Sequence, residues 1–231
     1  MKTNLKKKLV WVFAFAVLGF SNPGYSQKKY SKKQIENLKA EVEQIVESNK
    51  KQAQIMVDKI FSFAELGFQE YESTKYLTGI LKENGFTIEN GISGITTAWF
   101  ATWKNGDGPT IALGSDVDCI PKASQHPGVA YHKPIVDGAP GHGEGHNSGI
   151  PLNITAALAV KQIMERENIQ GTLILWPGIA EELVAAKAWY VRDGLFKDID
   201  MCIFTHVSSN LGVSWGPTRG TGLISVEYSF E

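Results

Sequence analysis

The run IPLNITAALAVKQIMERENIQGTLILWPGIAEELVAAKAWYVRDGLFKDIDMCIFT, residues 150–205, decides the fold class. Its apolar residues recur at helical spacing over 150–166 and form a short continuous β-prone block over 171–176. A second helix is expected over 182–193 and a second strand over 200–205. Strand and helix alternating in this way predict an α/β layer structure with a largely parallel central sheet. In such sheets ligands gather at the carboxyl ends of the strands. Working outward, Ile35, Leu38, Val42, Ile45, Val46, Ile55 and Ile60 mark one long amphipathic helix over 31–63, and a further helix is expected over 70–84, stopped by Gly85. Strands follow at 96–103 and 110–113, with Asn105-Gly106-Asp107-Gly108 read as the hairpin turn between them. Residues 115–149 carry no period and are rich in Gly, Pro and His; loops of that length in a compact domain are usually functional.

Within that loop stands Gly141-His142-Gly143-Glu144-Gly145-His146-Asn147-Ser148-Gly149. Imidazole and carboxylate are ligands suited to zinc and related divalent ions, and the glycines let the backbone bend until alternate side chains converge. Asp116 and Asp118 follow one predicted strand, Glu181 and Glu182 another, and His206 a third. Each has an ordinary explanation alone: a turn residue, an acid favoured at a helix start, a polar residue at a sheet edge. His126 and His132 read as loop residues. Together, however, the acids and imidazoles fall on one edge of the sheet, and unpaired carboxylates so gathered repel unless a cation neutralises them. Other chemistries fit worse. The glycine turn fails the G-x-G-x-x-G spacing, no Lys-Ser or Lys-Thr pair closes a phosphate loop, and no G-x-S-x-G elbow is present.

The N-terminus has the form of an export signal: Lys2, Lys6, Lys7 and Lys8, an apolar run over 9–20, then small residues to Ser26. Residues 1–26 are expected to be removed on export to a periplasmic or secreted location, an uncleaved N-terminal anchor being the alternative. The apolar run is shorter than the roughly 20 residues needed to cross a bilayer, so no stable membrane insertion is expected. Removal of four lysines and no acids would shift the charge from 23 − 24 = −1 to 19 − 24 = −5, which leaves no basic face for nucleic acid. Two cysteines, Cys119 and Cys202, are too few for a disulfide framework and are expected as buried free thiols, with pairing in an oxidising compartment as the alternative. The last stretch, 223–230, alternates apolar and polar like a strand and stops without a tail, so 27–231 is expected to be the N-terminal portion of a longer protein.

Five ordered motifs carry a family resemblance: Ala64-Glu65-Leu66-Gly67-Phe68-Gln69-Glu70, Ser115-Asp116-Val117-Asp118-Cys119-Ile120-Pro121, the glycine-rich turn, Ala180-Glu181-Glu182, and His206 after an apolar strand. From about Ile35 onward the chain resembles the metal-dependent amidohydrolases of the aminoacylase, hippurate hydrolase and carboxypeptidase group (peptidase clan MH), and within it the aminobenzoyl-glutamate hydrolase branch. The resemblance implies a three-layer αβα zinc-exopeptidase-like catalytic domain, incomplete at its C-terminus. It implies Glu181 as general base and Glu144, His146, Glu182 and His206 as ligands of one or two divalent ions, zinc first, with manganese or another ion as the alternative. Asp118 is implied as the acid that orients a ligand, and Asp116 stands where more distant relatives place a histidine ligand. Glu144 departs from the pattern, since this branch usually has cysteine there; an oxygen donor favours harder metals. The implied reaction is hydrolysis of a small N-acyl amino acid, an aminobenzoyl-glutamate-like compound or a dipeptide. The alternative is a non-catalytic metal-binding or assembly protein on the same scaffold. Relatives insert a lid and dimerisation domain after this point, which implies a homodimeric full-length protein and one further histidine ligand outside this chain.

Overall fold

Ser31 caps helix α1 (Lys32–Ser48) reciprocally: its hydroxyl accepts the Gln34 N–H at 3.3 Å and the Gln34 side chain accepts the Ser31 N–H at 2.9 Å. The computed structural model describes residues 29–216 and 226–230; the export segment 1–26 lies outside them. The single helix expected over 31–63 is in fact two. Asn49 ends α1 and α2 runs Lys50–Phe63. The Asn49 side chain donates to the Ile45 carbonyl at 3.0 Å, giving the backbone an alternative to continued helix. Helix α3 (Tyr71–Glu83) buries Leu77 and Leu81 one turn apart and ends before Gly85, whose φ of +84° suits glycine.

The sheet comprises β1 (Thr87–Asn90), β2 (Trp99–Asn105), β3 (Thr110–Asp116), β4 (Gly171–Gly178) and β5 (Met201–Phe204) in the order β1-β2-β4-β3-β5. Strands β4, β3 and β5 are parallel neighbours, and β2 and β1 join antiparallel. The expected hairpin between β2 and β3 does not form. Strand β4 lies between them, pairing antiparallel with β2 and parallel with β3, because its block of apolar residues is buried on both faces only at the sheet's centre. Strand β1 was not anticipated; its burial is slight and it carries little apolar signal.

Helix α4 (Gly149–Glu167) packs on β3 and β4, α1 and α2 pack on α4, and α3 packs on β1 and β2. On this face Lys161 of α4 lies 5.2 Å over the Trp103 ring. The other face is aromatic. Phe100, Trp176 and Phe204 share it, and Tyr190 and Phe196 cover them, with Trp176 ring centroids 5.0–6.4 Å from those of its four aromatic neighbours. The result is three layers, helix over sheet over the short helix α5 (Lys187–Arg192) and the segment after it. The helix expected over 182–193 is shorter than read. Residues 181–183 form a 3₁₀ turn, and the left-handed or positive-φ residues Ala180, Val184 and Ala186 delay α5. Of the strand-like alternation expected over 223–230, residues 223–225 lie outside the described residues, and 226–230 are exposed and lie in no strand. Both cysteines are free; Cys119 is buried, but Cys202 is exposed because β5 is an edge strand. No helix among the described residues is long and apolar enough to cross a membrane.

Candidate functional site

Strands β3, β4 and β5 end side by side, delivering Asp116, Glu181 and His206 to one edge of the sheet, while the glycine-rich turn leads into α4 beside them. Glycine is required at Gly178 and Gly149: a Cβ would lie 1.9 Å from Asp116 Oδ1 at the first and 1.8 Å from Ser115 Oγ at the second. Ser115 Oγ donates to the Thr205 carbonyl at 2.6 Å, tying β3 to β5 just before His206.

His146 is the buried centre of the cluster. Its Nδ1 lies 3.1 Å from the Asp118 carbonyl, so this nitrogen carries the proton and donates, and Nε2 presents its lone pair. His206 repeats the arrangement, with Nδ1 2.7 Å from the Val207 carbonyl. The two Nε2 atoms face each other at 3.2 Å. Two lone pairs at that distance repel unless a proton or a cation stands between them. Glu144 lies beside both, 3.7 Å from His146 Nε2 and 3.9 Å from His206 Nε2. Donor atoms of Glu144, His146, Glu181 and Glu182 fall within 4.8 Å of one another, as do those of Asp116, His146 and His206. Burial pulls the His146 pKa down, but the Asp118 hydrogen bond and the charges of Asp116 and Asp118 outweigh it and raise it to about 8. The same negative field attracts a metal cation, which would replace that proton. The Glu182 carboxyl is pushed up first by burial and then by Glu144. A donor set of two imidazoles and several carboxylates therefore fits one or two divalent ions.

Asp118 is buried behind these groups. Its Oδ2 accepts the Glu182 N–H at 3.0 Å, and its Oδ1 lies 3.5 Å from His146 Nδ1. Asp116 is engaged by a residue that sequence reasoning missed: Lys187 Nζ donates to both its oxygens, at 2.8 and 3.1 Å, and lies 3.9 Å from Glu181 Oε1. Burial raises the Asp116 carboxyl, with Lys187 opposing. Nothing in the spacing of Lys187 marks it; it reads as a solvent-facing helix residue. The motif 64–70 also has a visible role. The Glu65 carboxylate accepts the Glu72 and Ser73 N–H groups, both at 2.8 Å, and so caps α3.

His142 is not brought into the cluster. Its Nε2 bonds the Ile60 carbonyl of α2 at 3.1 Å and its Nδ1 is buried without a partner. Burial lowers its pKa from 6.5 to about 4. The fold favours the neutral ring, so its stabilising contribution is complete above pH 6.5 and is lost as pH falls toward 4. Urea unfolding should show stability declining across that window, and His142→Gln, which keeps a donor for Ile60, should flatten the decline; an unchanged slope would contradict the assignment.

No family model matches the chain. It is 30% identical over 190 residues to a subunit of the p-aminobenzoyl-glutamate hydrolase of Escherichia coli, an alignment covering 82% of this chain and 39% of that protein. It is 28% identical over 158 residues to the N-acetyl-L-cysteine deacetylase of Bacillus subtilis, covering 67% and 36% respectively. Among solved structures, a dinuclear metal-binding peptidase from the M20 family of Bacillus subtilis superposes with a TM-score of 0.58 at 25% identity, covering 71% of this chain and 45% of that one. An aminobenzoyl-glutamate utilization protein from Klebsiella pneumoniae shares the fold, with a TM-score of 0.57 at 15% identity over 73% of this chain and 46% of that one. The chain thus spans about two fifths of the curated relatives it matches.

Proposed function

We propose, from the premise that this chain is a homologue of the metal-dependent amidohydrolases of the M20 family, that its full-length protein hydrolyses the amide bond of a small N-acyl amino acid, an aminobenzoyl-glutamate-like compound or a dipeptide. The observation that carries the reading is the pair of imidazole Nε2 atoms 3.2 Å apart, each with its lone pair turned inward, with the Glu144 carboxylate 3.7 and 3.9 Å from them and the Glu181 and Glu182 carboxylates grouped with Glu144 around His146. His146, His206, Glu144 and Glu182 would hold the metal. Zinc is the ion proposed; the nitrogen and oxygen donors also suit manganese. A divalent ion there supplies Lewis acidity, which polarises the amide carbonyl and makes water more acidic.

The remaining work falls to side chains. Glu181 takes a proton from the attacking water and passes it to the leaving nitrogen as the C–N bond breaks, releasing a carboxylic acid and an amine. Lys187 neutralises Asp116 and adds a fixed positive charge 3.9 Å from Glu181. Asp118 holds His146 and the Glu182 amide in place. Export to the periplasm or medium belongs to the same proposal and is supported by the lysine-led apolar segment at the N-terminus. A homodimeric full-length protein rests on the family resemblance alone.

The full-length gene product should hydrolyse at least one of hippurate, aminobenzoyl-glutamate and simple dipeptides, lose that activity to a chelator, and recover it with zinc or manganese. Absence of turnover across the panel in metal-loaded protein would refute the reading.

A further inference from the structure

Glu70 is wholly buried, yet no lysine or arginine pairs with it among the described residues. Its carboxylate accepts two hydrogen bonds, one from the Thr97 hydroxyl at 2.8 Å and one from the Ala180 N–H at 2.9 Å. An uncompensated carboxylate in the core is costly to retain, and burial accordingly pushes its carboxyl above the ordinary value. Its position just before α3 suggests a capping duty, but the side chain makes no capping bond; Glu65 supplies those. Glu70 is spent instead on the residue immediately before Glu181.

Ala180 is left-handed, with φ 52° and ψ 43°, so its amide has left the β4 ladder and needs another acceptor. Gly67 closes the space beneath: a Cβ there would lie 2.9 Å from the Ala180 Cβ. On the far side, Asp118 Oδ2 accepts the Glu182 N–H. Residue 181 is therefore held between two amides, 180 and 182, each fixed by a buried carboxylate from a different part of the chain.

We propose that Glu70 is a positioning residue that reaches through the core to set the turn carrying Glu181 and Glu182, the Ala180 amide being its point of action. The proposal rests on the amidohydrolase reading above, in which Glu182 holds metal and Glu181 moves the proton. Its consequence is that metal affinity and turnover depend on a side chain that touches neither ion nor substrate.

The test titrates zinc and manganese into metal-stripped full-length protein and follows hydrolysis in parallel. Glu70→Leu should weaken ion affinity by about 10–100-fold and lower kcat with little change in KM. Glu70→Gln, which keeps an acceptor for the Ala180 N–H, should restore most of both. Leu81→Ala opens a cavity in α3 without removing a hydrogen bond of the turn; it should lower thermal stability and leave ion affinity unchanged. Where Glu70→Leu does not fold, Thr97→Val carries the test, since loss of its hydroxyl frees the carboxylate and should weaken ion binding in the same direction. Unchanged ion affinity in Glu70→Leu or Thr97→Val, or an equal loss in Leu81→Ala, overturns the proposal. An unaltered protein that binds neither ion overturns the amidohydrolase reading together with it. One that binds ions and turns over substrate while the variants match it overturns the Glu70 assignment alone.

Discussion

Glu181→Gln should lower kcat by about 10²–10⁴-fold, the usual worth of a positioned general base, while metal content stays at the level of the unaltered protein. Glutamine has the same shape and can still accept a hydrogen bond, but it cannot take the proton of the attacking water. The groups proposed to hold metal, Glu144, His146, Glu182 and His206, are untouched by the change. The alternative is specific, because the Glu181 carboxylate lies within 4.8 Å of donor atoms of Glu144, His146 and Glu182 and is itself chemically able to bind a cation. Elemental analysis beside kinetics separates the roles. Metal retained with turnover lost identifies the base; metal lost in proportion to activity makes Glu181 a ligand and leaves the proton transfer to another group.

Trp176→Ala should destabilise the protein by about 3–5 kcal/mol, a fall in melting temperature of roughly 6–20 °C for a chain of this size. The Trp176 indole lies directly across Gly114, where a Cβ would approach it to 2.3 Å, and it is ringed by Phe100, Tyr190, Phe196 and Phe204. Truncation leaves a cavity between the sheet and α5 that four rigid rings cannot refill together. That face also carries Lys187, whose ammonium sits 4.8 Å over the Phe204 ring, so loosening it should reach the Asp116–Lys187 pair. Thermal unfolding followed by near-ultraviolet circular dichroism reads both the loss and the aromatic packing. A shift of a degree or two would show that the aromatic layer repacks.

Much of this was legible beforehand. The helices at 71–83 and 149–167 and the strands at 171–178 and 201–204 lie within a few residues of their expected positions, because their apolar periodicity is strong and local. The expected gathering of Asp116, Glu181, Glu182 and His206 at the carboxyl ends of parallel strands, with the glycine-rich turn carrying His146 beside them, followed from the order of elements. What escaped was set at longer range. Asn49 split a helix through its own side-chain hydrogen bond, which the apolar period does not record. The Asn105–Gly108 segment has the composition of a hairpin turn, yet the chain makes no hairpin there, since β4 arrives some seventy residues later to take the central place. His142, four residues from His146 in the same glycine-rich turn, is captured by the Ile60 carbonyl of α2.

The amino-acid sequence by itself determined which residues could do chemistry and which edge of the sheet would hold them, since residue type and local period need no knowledge of distant partners. Tertiary structure alone decided which of them meet. It set the Nε2 atoms of His146 and His206 face to face by giving each Nδ1 a backbone carbonyl, brought Lys187 onto Asp116, and carried Glu70 across the core to the Ala180 amide. The physical reason is that a hydrogen bond or an ion pair is specified by position to within about half an ångström, and pairing of strands and burial of faces must come first to supply that precision.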